Sequence, residues 1–401
     1  MLKSVTSASP ARLPLLVYLL AAGTFLMGTS EFVVAGLLPD MALDFDISVA
    51  RAGLTVMVFA VGMIVGAPSM ALLTRRLSRR LTLTLALAVF AVGHAVAAAT
   101  ATSSYAVLLG ARCLTAFATG AFWAVAAVVA TRAVGPAASA RALGVVLGGG
   151  MVATVLGVPL GAVSGQLVGW RGPFWGLAAL ASLTAVAVAR TLPPAPAQPP
   201  APSARVELSG LRSRRLWLVL VLCATVNAAV LSIYSFIGPL LVERAGLPSG
   251  SIPATLVLFG AAAMTGTVLG GRLGDTHPRS TLYTTAATTV IAGAGLCAST
   301  HPVPTILSFT LLGLVGSSAN PVLVHLALRY GDAAPTLASA MAISCFNVGT
   351  AAGTGITGLV LLTRVGTLAP ALVGTVLALV VFLPLTALNT LERRTTPLTH
   401  R

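Results

Sequence analysis

Apolar residues run along this chain in long blocks, separated by short stretches that hold arginine, proline and serine. A helix needs about 20 mainly apolar residues to cross the hydrocarbon of a bilayer. Blocks of that kind fall at 14–38, 51–74, 81–100, 104–131, 141–165, 171–191, 216–240, 252–272, 280–299, 303–328, 336–362 and 366–388. The pattern predicts an all-α integral membrane protein with twelve transmembrane helices. Composition agrees, because 57% of residues are hydrophobic and 8% charged, too few polar groups to cover a water-soluble protein of this length.

A net charge of +15 would suggest nucleic acid in a soluble chain. Here the arginines gather in short loops, the way orientation in a membrane is specified, so nucleic-acid binding is set aside. Of the 24 basic residues, 19 lie in the termini and even-numbered loops and four (Arg51, Arg171, Arg244 and Arg364) in the odd-numbered ones. This imbalance predicts a multi-pass protein of a bacterial inner membrane with both termini in the cytoplasm. Only Lys3 is lysine, a bias that points to a GC-rich genome and not to a chemistry. Lys3, Arg12 and the first apolar run imitate a signal peptide, but the run continues past Glu31 to Leu38 without a small-residue cleavage pattern, so it reads as the first span.

The segment LPPAPAQPPAPSARVELSGLRSRR, 192–215, is proline-rich and then basic, the composition of an extended spacer. It predicts a six-helix bundle over 1–191, a cytoplasmic linker, and a second six-helix bundle with a short tail over 216–401. The loop after the second span, ALLTRRLSRR, is echoed after the eighth by GRLGDTHPR, with Gly271 falling 200 positions after Ala71. Two related halves around a cavity is a transporter plan.

The remaining basic residue, Arg112, and the carboxylate Glu31 both stand inside apolar runs. A charge at the bilayer centre costs about 2.5–3.5 kcal/mol on insertion scales, so such residues face a protein interior or a watery cavity and mark ion or proton pathways. On a helix Glu31 shares its face with Thr24, Met27, Gly28, Val34 and Ala35, a stripe with small residues that lets another helix approach. Each charge is seven residues from the outer end of its span, roughly 10 Å, so the two are expected at similar depth, paired or sensing each other through water. Burial disfavours a charged carboxylate and a guanidinium favours it, so a site holding both can load a proton on one side and release it on the other.

Asn227, Asn320 and Asn347 can bind a neutral polar solute or bridge helices, and Phe122, Trp123, Tyr234 and Phe236 can form a stacking wall or serve packing. His94 and Gln166 are placed near outer helix ends. The four cysteines lie in apolar segments without metal-ligand spacing. No GxxxxGK[ST] run is present, which argues against direct ATP coupling, and no nucleophile–base constellation suggests an enzyme. No metal or cofactor is expected.

The paired loops bring the chain to a family. Gly271, Leu273 and Asp275, and in the first copy Leu73, Arg76, Arg79 and Arg80, resemble the G-x-L-a-D-R-x-G-R-R signature of the major facilitator superfamily. Ala71, Arg75 and Ser78 depart from it, which removes an acidic latch from the first copy. The fifth span, GGGMVATVLGVPLGAVSG, contains Gly157, Pro159, Gly161 and Gly165 and is similar to the glycine–proline motif of drug–proton antiporters, with Val158 interrupting the usual pair. The segments GTSEF, GAPSMA, GVPLGA and GWR-PFW look most like chloramphenicol-resistance exporters of actinomycetes. The resemblance implies a monomeric facilitator fold that exports chloramphenicol or another neutral amphenicol in exchange for protons, the proton gradient being the energy source. Glu31 and Arg112 would couple the proton. Gly157, Pro159, Gly161 and Gly165 would shape the moving interface, and Arg76, Arg79, Arg80, Gly271, Arg272 and Asp275 would gate the cytoplasmic side. The solute would meet Phe122, Trp123, Asn227, Tyr234, Asn320 and Asn347. Similar segments in exporters of sugars, purine nucleosides or other metabolites give the second reading, and a non-transporting receptor on the same fold the third.

Overall fold

The computed structural model describes residues 13–73, 77–101, 104–134, 138–193, 213–331 and 335–395. Among them twelve helices are long and apolar enough to cross a membrane: α1 (Leu15–Asp44), α2 (Val49–Gly66), α3 (Arg79–Ala99), α4 (Tyr105–Val134), α5 (Arg141–Val168), α6 (Arg171–Thr191), α7 (Arg214–Tyr234), α8 (Ser249–Gly274), α9 (Pro278–Ala298), α10 (Pro302–Tyr330), α11 (Ala338–Leu361) and α12 (Gly366–Glu392). Helices satisfy every backbone donor and acceptor within the segment, the condition for crossing hydrocarbon. Serines start several of them: Ser48, Ser78 and Ser213 accept from the amides of Arg51, Leu81 and Leu216, filling donors the first turn leaves open. Most of the predicted linker, 194–212, lies outside the described residues.

Two of the helix ends that differ from the sequence reading, each by six residues, bear on the site. The first helix does not stop at Leu38 but runs through Pro39 to Asp44, because a proline removes one backbone bond and its neighbours keep theirs. Glu31 is therefore thirteen residues, roughly 20 Å, from that helix end, at the middle of α1. The seventh helix ends at Tyr234 instead of continuing to 240. Pro239 cannot donate and its ring crowds the carbonyl of Ser235, and the chain breaks at Ser235–Phe236 before resuming in a π turn over Leu240–Arg244.

The two sets of six helices repeat the same contacts. The pairs α1–α5, α2–α4, α3–α4 and α3–α6 recur as α7–α11, α8–α10, α9–α10 and α9–α12. The close approaches are made by the same glycines: Gly62 and Gly66 of α2 lie on the backbone of Cys113 and Phe117, as Gly266 and Gly270 of α8 lie on Leu314 and Ser318. Such small-residue contacts let helices pack without a hydrophobic driving force.

The halves meet through α2–α11 and α5–α8. Toward the face that carries both ends of the described chain, the terminal face, the two apolar cores stay separate, one built only from residues 13–192 and the other only from 216–388. Toward the opposite face the cores mix: Ala35, Val158 and Ala162 pack with the second half, and Phe236 with the first. Met57 lies against Gly355, Ala50 against Gly358 and Thr154 against Gly260, and the Gln166 amide donates to the Ser249 carbonyl at 2.8 Å. The halves thus touch toward the opposite face, beside an open cleft of ≈ 930 Å³ lined by Gly36, Asp40 and Gln166 of the first half and Gly238, Glu243 and Ser249 of the second.

Candidate functional site

Glu31 is partly buried and lines a narrow cavity between the halves. Phe32 and Ala35 of α1, Val56, Phe59 and Ala60 of α2, Leu231 and Tyr234 of α7, and Asn347 and Thr350 of α11 are among its other walls. Its volume, ≈ 10 Å³, is on the scale of one water. Among the described residues the carboxylate makes no hydrogen bond and no ion pair. A carboxylate at mid-membrane is costly, and residues of this kind face a protein interior or a watery cavity.

Arg112 is brought to the same place from α4 and is 1% exposed. It does not bond to Glu31. Its Nη1 donates to the Ser30 hydroxyl at 3.0 Å and to the Ser30 carbonyl at 3.2 Å, and its Nε to the Thr55 carbonyl at 3.5 Å. The guanidinium lies 4.4 Å from the Phe59 ring centroid, a cation–π contact worth about 2 kcal/mol when desolvated. Nη2 is buried without a hydrogen-bond partner. Through Ser30, the residue next to Glu31, Arg112 reaches the same turn of α1 without bonding the carboxylate.

What holds Arg112 was only half visible in the sequence. His94, expected near an outer helix end, is 1% exposed, enclosed by Phe90 and Phe174 at centroid distances of 4.1 and 5.6 Å. Its Nδ1 lies 2.8 Å from the Phe90 carbonyl and its Nε2 2.8 Å from the Ser30 hydroxyl. Ser30 carried no signal beyond being a polar residue next to Glu31.

A second cavity, ≈ 90 Å³, lies among α1, α5, α7, α8 and α10, walled by Phe32, Thr154, Asn227, Tyr234, Phe259 and Asn320 with smaller neighbours. Tyr234 belongs to both cavities, and its hydroxyl donates to the Phe32 carbonyl at 3.4 Å. The structure thus gathers Asn227, Tyr234 and Asn320 in one cavity and sets Asn347 beside Glu31 in the other. Asn227 also bridges helices, donating at 2.7 Å to the Phe346 carbonyl and the Thr350 hydroxyl. Asn347 donates back to the Ile343 carbonyl, and the Asn320 carbonyl oxygen is buried without a partner. Phe122 and Trp123 lie elsewhere, Phe122 inside the first-half core against Gly23 and Trp123 against Gly150. A drug-sized site is about 300–1,000 Å³, so this conformation is narrower than a loaded one.

The glycine motif packs on the helix that carries Glu31. Gly157, Gly161 and Gly165, one turn apart, face Thr29, Val33 and Leu37 of α1 so closely that a Cβ at any of them would overlap a side chain. Pro159, also buried, follows a π turn over Ala153–Gly157, the kind of local bulge that absorbs a missing donor. On its other side α5 meets α8, so the motif links the α1 site to the interface between halves.

On the terminal face, Arg76 and the Asp275 side chain lie outside the described residues. Arg79 and Arg80 open α3, partly buried, and Arg79 faces Arg132 of α4. Gly271 has open space around it and Arg272 is exposed. An ion pair on this face is one the sequence reading did not single out: Arg279 at the start of α9 with Glu392 at the end of α12, which also accepts from the Tyr330 hydroxyl.

Twelve spanning helices, repeated halves and a mid-membrane charge cluster facing the seam between them define a multi-pass membrane transporter, not an enzyme. The family model of the Major Facilitator Superfamily matches residues 20–336, and the chain belongs to that superfamily. It is 39% identical to a chloramphenicol resistance protein of Streptomyces lividans over 85% of this chain and 88% of that one. It is 32% identical to an uncharacterized transporter of the same family, YtbD of Bacillus subtilis, over 89% of this chain and 90% of that one. The fold is similar to the inward-facing, unoccupied crystal structure of a bacterial homolog of the human lysosomal transporter Spinster, with a TM-score of 0.75, 18% identity, and coverage of 96% and 98% of the two chains.

Proposed function

We propose that the protein is a proton-coupled drug exporter of a bacterial inner membrane that expels chloramphenicol or a related neutral amphenicol, acting as a monomer with both termini in the cytoplasm. The likeness to the Streptomyces resistance protein supports the substrate class. The observation that carries the coupling is Glu31, an unpaired carboxylate at mid-membrane facing the seam between the halves. With the terminal face in the cytoplasm, the mixed apolar packing between Glu31 and the opposite face makes this an outside-closed conformation. Rocking the halves about the α2–α11 and α5–α8 contacts would open Glu31 to the acidic exterior, where it loads a proton, and then to the cytoplasm, where it releases one. Arg112 favours the charged form and so favours release.

A neutral drug exchanged for a proton moves net charge. Each unit of pH gradient then supplies about 1.4 kcal/mol per proton and each 100 mV about 2.3 kcal/mol per charge. Drug and proton share walls, because Tyr234 belongs to both cavities, so occupancy of one can alter access to the other. The test is chloramphenicol transport in proteoliposomes carrying an imposed pH gradient, with a protonophore as control. Gradient-driven flux that the protonophore abolishes is the expected result. Absence of flux from folded protein would remove chloramphenicol as substrate and direct the assay to sugars and purine nucleosides.

A further inference from the structure

The polar groups around Arg112 fix one another's proton positions. The Phe90 carbonyl can only accept, so the His94 Nδ1 facing it at 2.8 Å carries a proton. A positive imidazolium would add a second unpaired cation within two hydrogen bonds of the buried Arg112, which low-dielectric surroundings penalise. In the neutral ring Nε2 is an acceptor, so the Ser30 hydroxyl donates to it across 2.8 Å. That commits the Ser30 proton to His94 and turns an oxygen lone pair toward Arg112 Nη1, 3.0 Å away. Ser30 is 0% exposed, so no solvent competes for the arrangement.

We propose that His94 and Ser30 form a positioning pair that holds the Arg112 guanidinium off Glu31 and so leaves the Glu31 carboxylate open to protons from the cavity. The inference rests on the reading of Glu31 as the coupling acid. The alternative acceptor for a buried guanidinium is the neighbouring carboxylate, and a direct Arg–carboxylate pair is strong and frequently bidentate. Such a pair would stabilise the charged carboxylate and make loading harder. The other elements around Glu31 offer no comparable partner. The walls from α2 and α11 are Val56, Phe59, Ala60, Asn347 and Thr350, none ionisable, and α7 contributes the Tyr234 phenol. The α5 residues that face α1 include Gly149, Ala153, Gly157, Gly161 and Gly165, none ionisable, and from α6 the Phe174 ring packs on His94. Asp44, Arg171 and Trp170 are tied to one another at the opposite end of α1.

Infrared titration of the full-length protein in lipid nanodiscs reads this directly and needs no drug. The carboxylic C=O band of Glu31 is assigned by its loss in Glu31→Gln. Ser30→Ala and His94→Leu are expected to move the midpoint of that band toward acid by about one pH unit, a tenfold loss of proton affinity. The double variant should move it no further, because both changes remove one device. His94→Gln, whose amide oxygen can take the Ser30 proton, should keep the native midpoint. Ser30→Ala alone decides the matter if His94→Leu does not fold. A Glu31 band that titrates but keeps its midpoint in Ser30→Ala, or moves it toward alkali, overturns the inference and leaves the coupling role standing. A spectrum with no titrating Glu31 band removes the coupling role itself.

Discussion

The two halves are built on the same contacts and filled with opposite chemistry. In the first, the Thr24 hydroxyl of α1 donates to the Val146 carbonyl of α5; in the second, the Asn227 amide of α7 donates to the Phe346 carbonyl of α11. Carried along the helices, that register sets Tyr234 where the first half has Glu31. The α2–α4 and α8–α10 contacts likewise set Gly313, which lies against the Phe259 carbonyl, where Arg112 reaches the Thr55 carbonyl. The room that Gly313 leaves is taken by rings: Tyr234 and Phe259 stand 4.9 Å apart and Phe259 and Phe309 4.6 Å, centroid to centroid. One scaffold thus carries a charge cluster on one side of the seam and an aromatic stack on the other. The fold accounts for the helices and their crossing points, and on the proposed reading a few side chains at equivalent positions divide proton from solute.

That division can be broken from either side. The largest effect is expected from Arg112→Leu, which keeps the bulk and removes the cation. Without the cation that favours proton release, gradient-driven flux should fall on the order of a hundredfold, about 3 kcal/mol, while drug binding by the solubilised protein persists. Phe259→Ala should do the reverse. Phe259 lines the second cavity and not that of Glu31, and an aromatic face is worth about 1 kcal/mol, so chloramphenicol affinity measured by calorimetry should weaken about fivefold with the Glu31 infrared titration unmoved. A coupled loss of both in either variant would mean that the halves do not divide the work.

Smaller effects test how the charge half is mounted. A Cβ in Gly157→Ala would overlap the Thr29 hydroxyl, and overpacking of this kind costs typically about 1–3 kcal/mol. Thermal unfolding should come several degrees lower, with recovery in the Gly157→Ala/Thr29→Ala double variant. Gln166→Ala removes one hydrogen bond across the seam, worth about 1 kcal/mol. Spin-label distances across the opposite face should show its open population rising no more than a few-fold.

Much of this was legible in the sequence, for a physical reason. Hydrocarbon admits only long apolar helices, so the apolar runs report the spans directly, and Glu31 and Arg112 stand out because a charge in such a run is costly. The legible features stop where helix rotation matters. In a helix apolar all round, no amphipathic stripe shows which face looks inward. Phe122 and Trp123 therefore read like cavity aromatics although both pack into the core of their own half. Ser30 and His94 were hidden for another reason. Their role depends on a three-helix meeting of α1, α3 and α4; serine is common in membrane helices, and His94 was placed at the interface, where a histidine carries little signal. The end of α7 at Tyr234 was signalled by Gly238 and Pro239, which the apolar count overrode.

The most direct test of the account compares native protein with Glu31→Gln in proteoliposomes, measuring uphill chloramphenicol accumulation under a pH gradient alongside exchange of labelled for unlabelled drug at equilibrium. The account, which puts the solute path on the aromatic side, predicts that the substitution abolishes accumulation and spares exchange. Accumulation at the native level from Glu31→Gln would contradict it and move the coupling proton to another group.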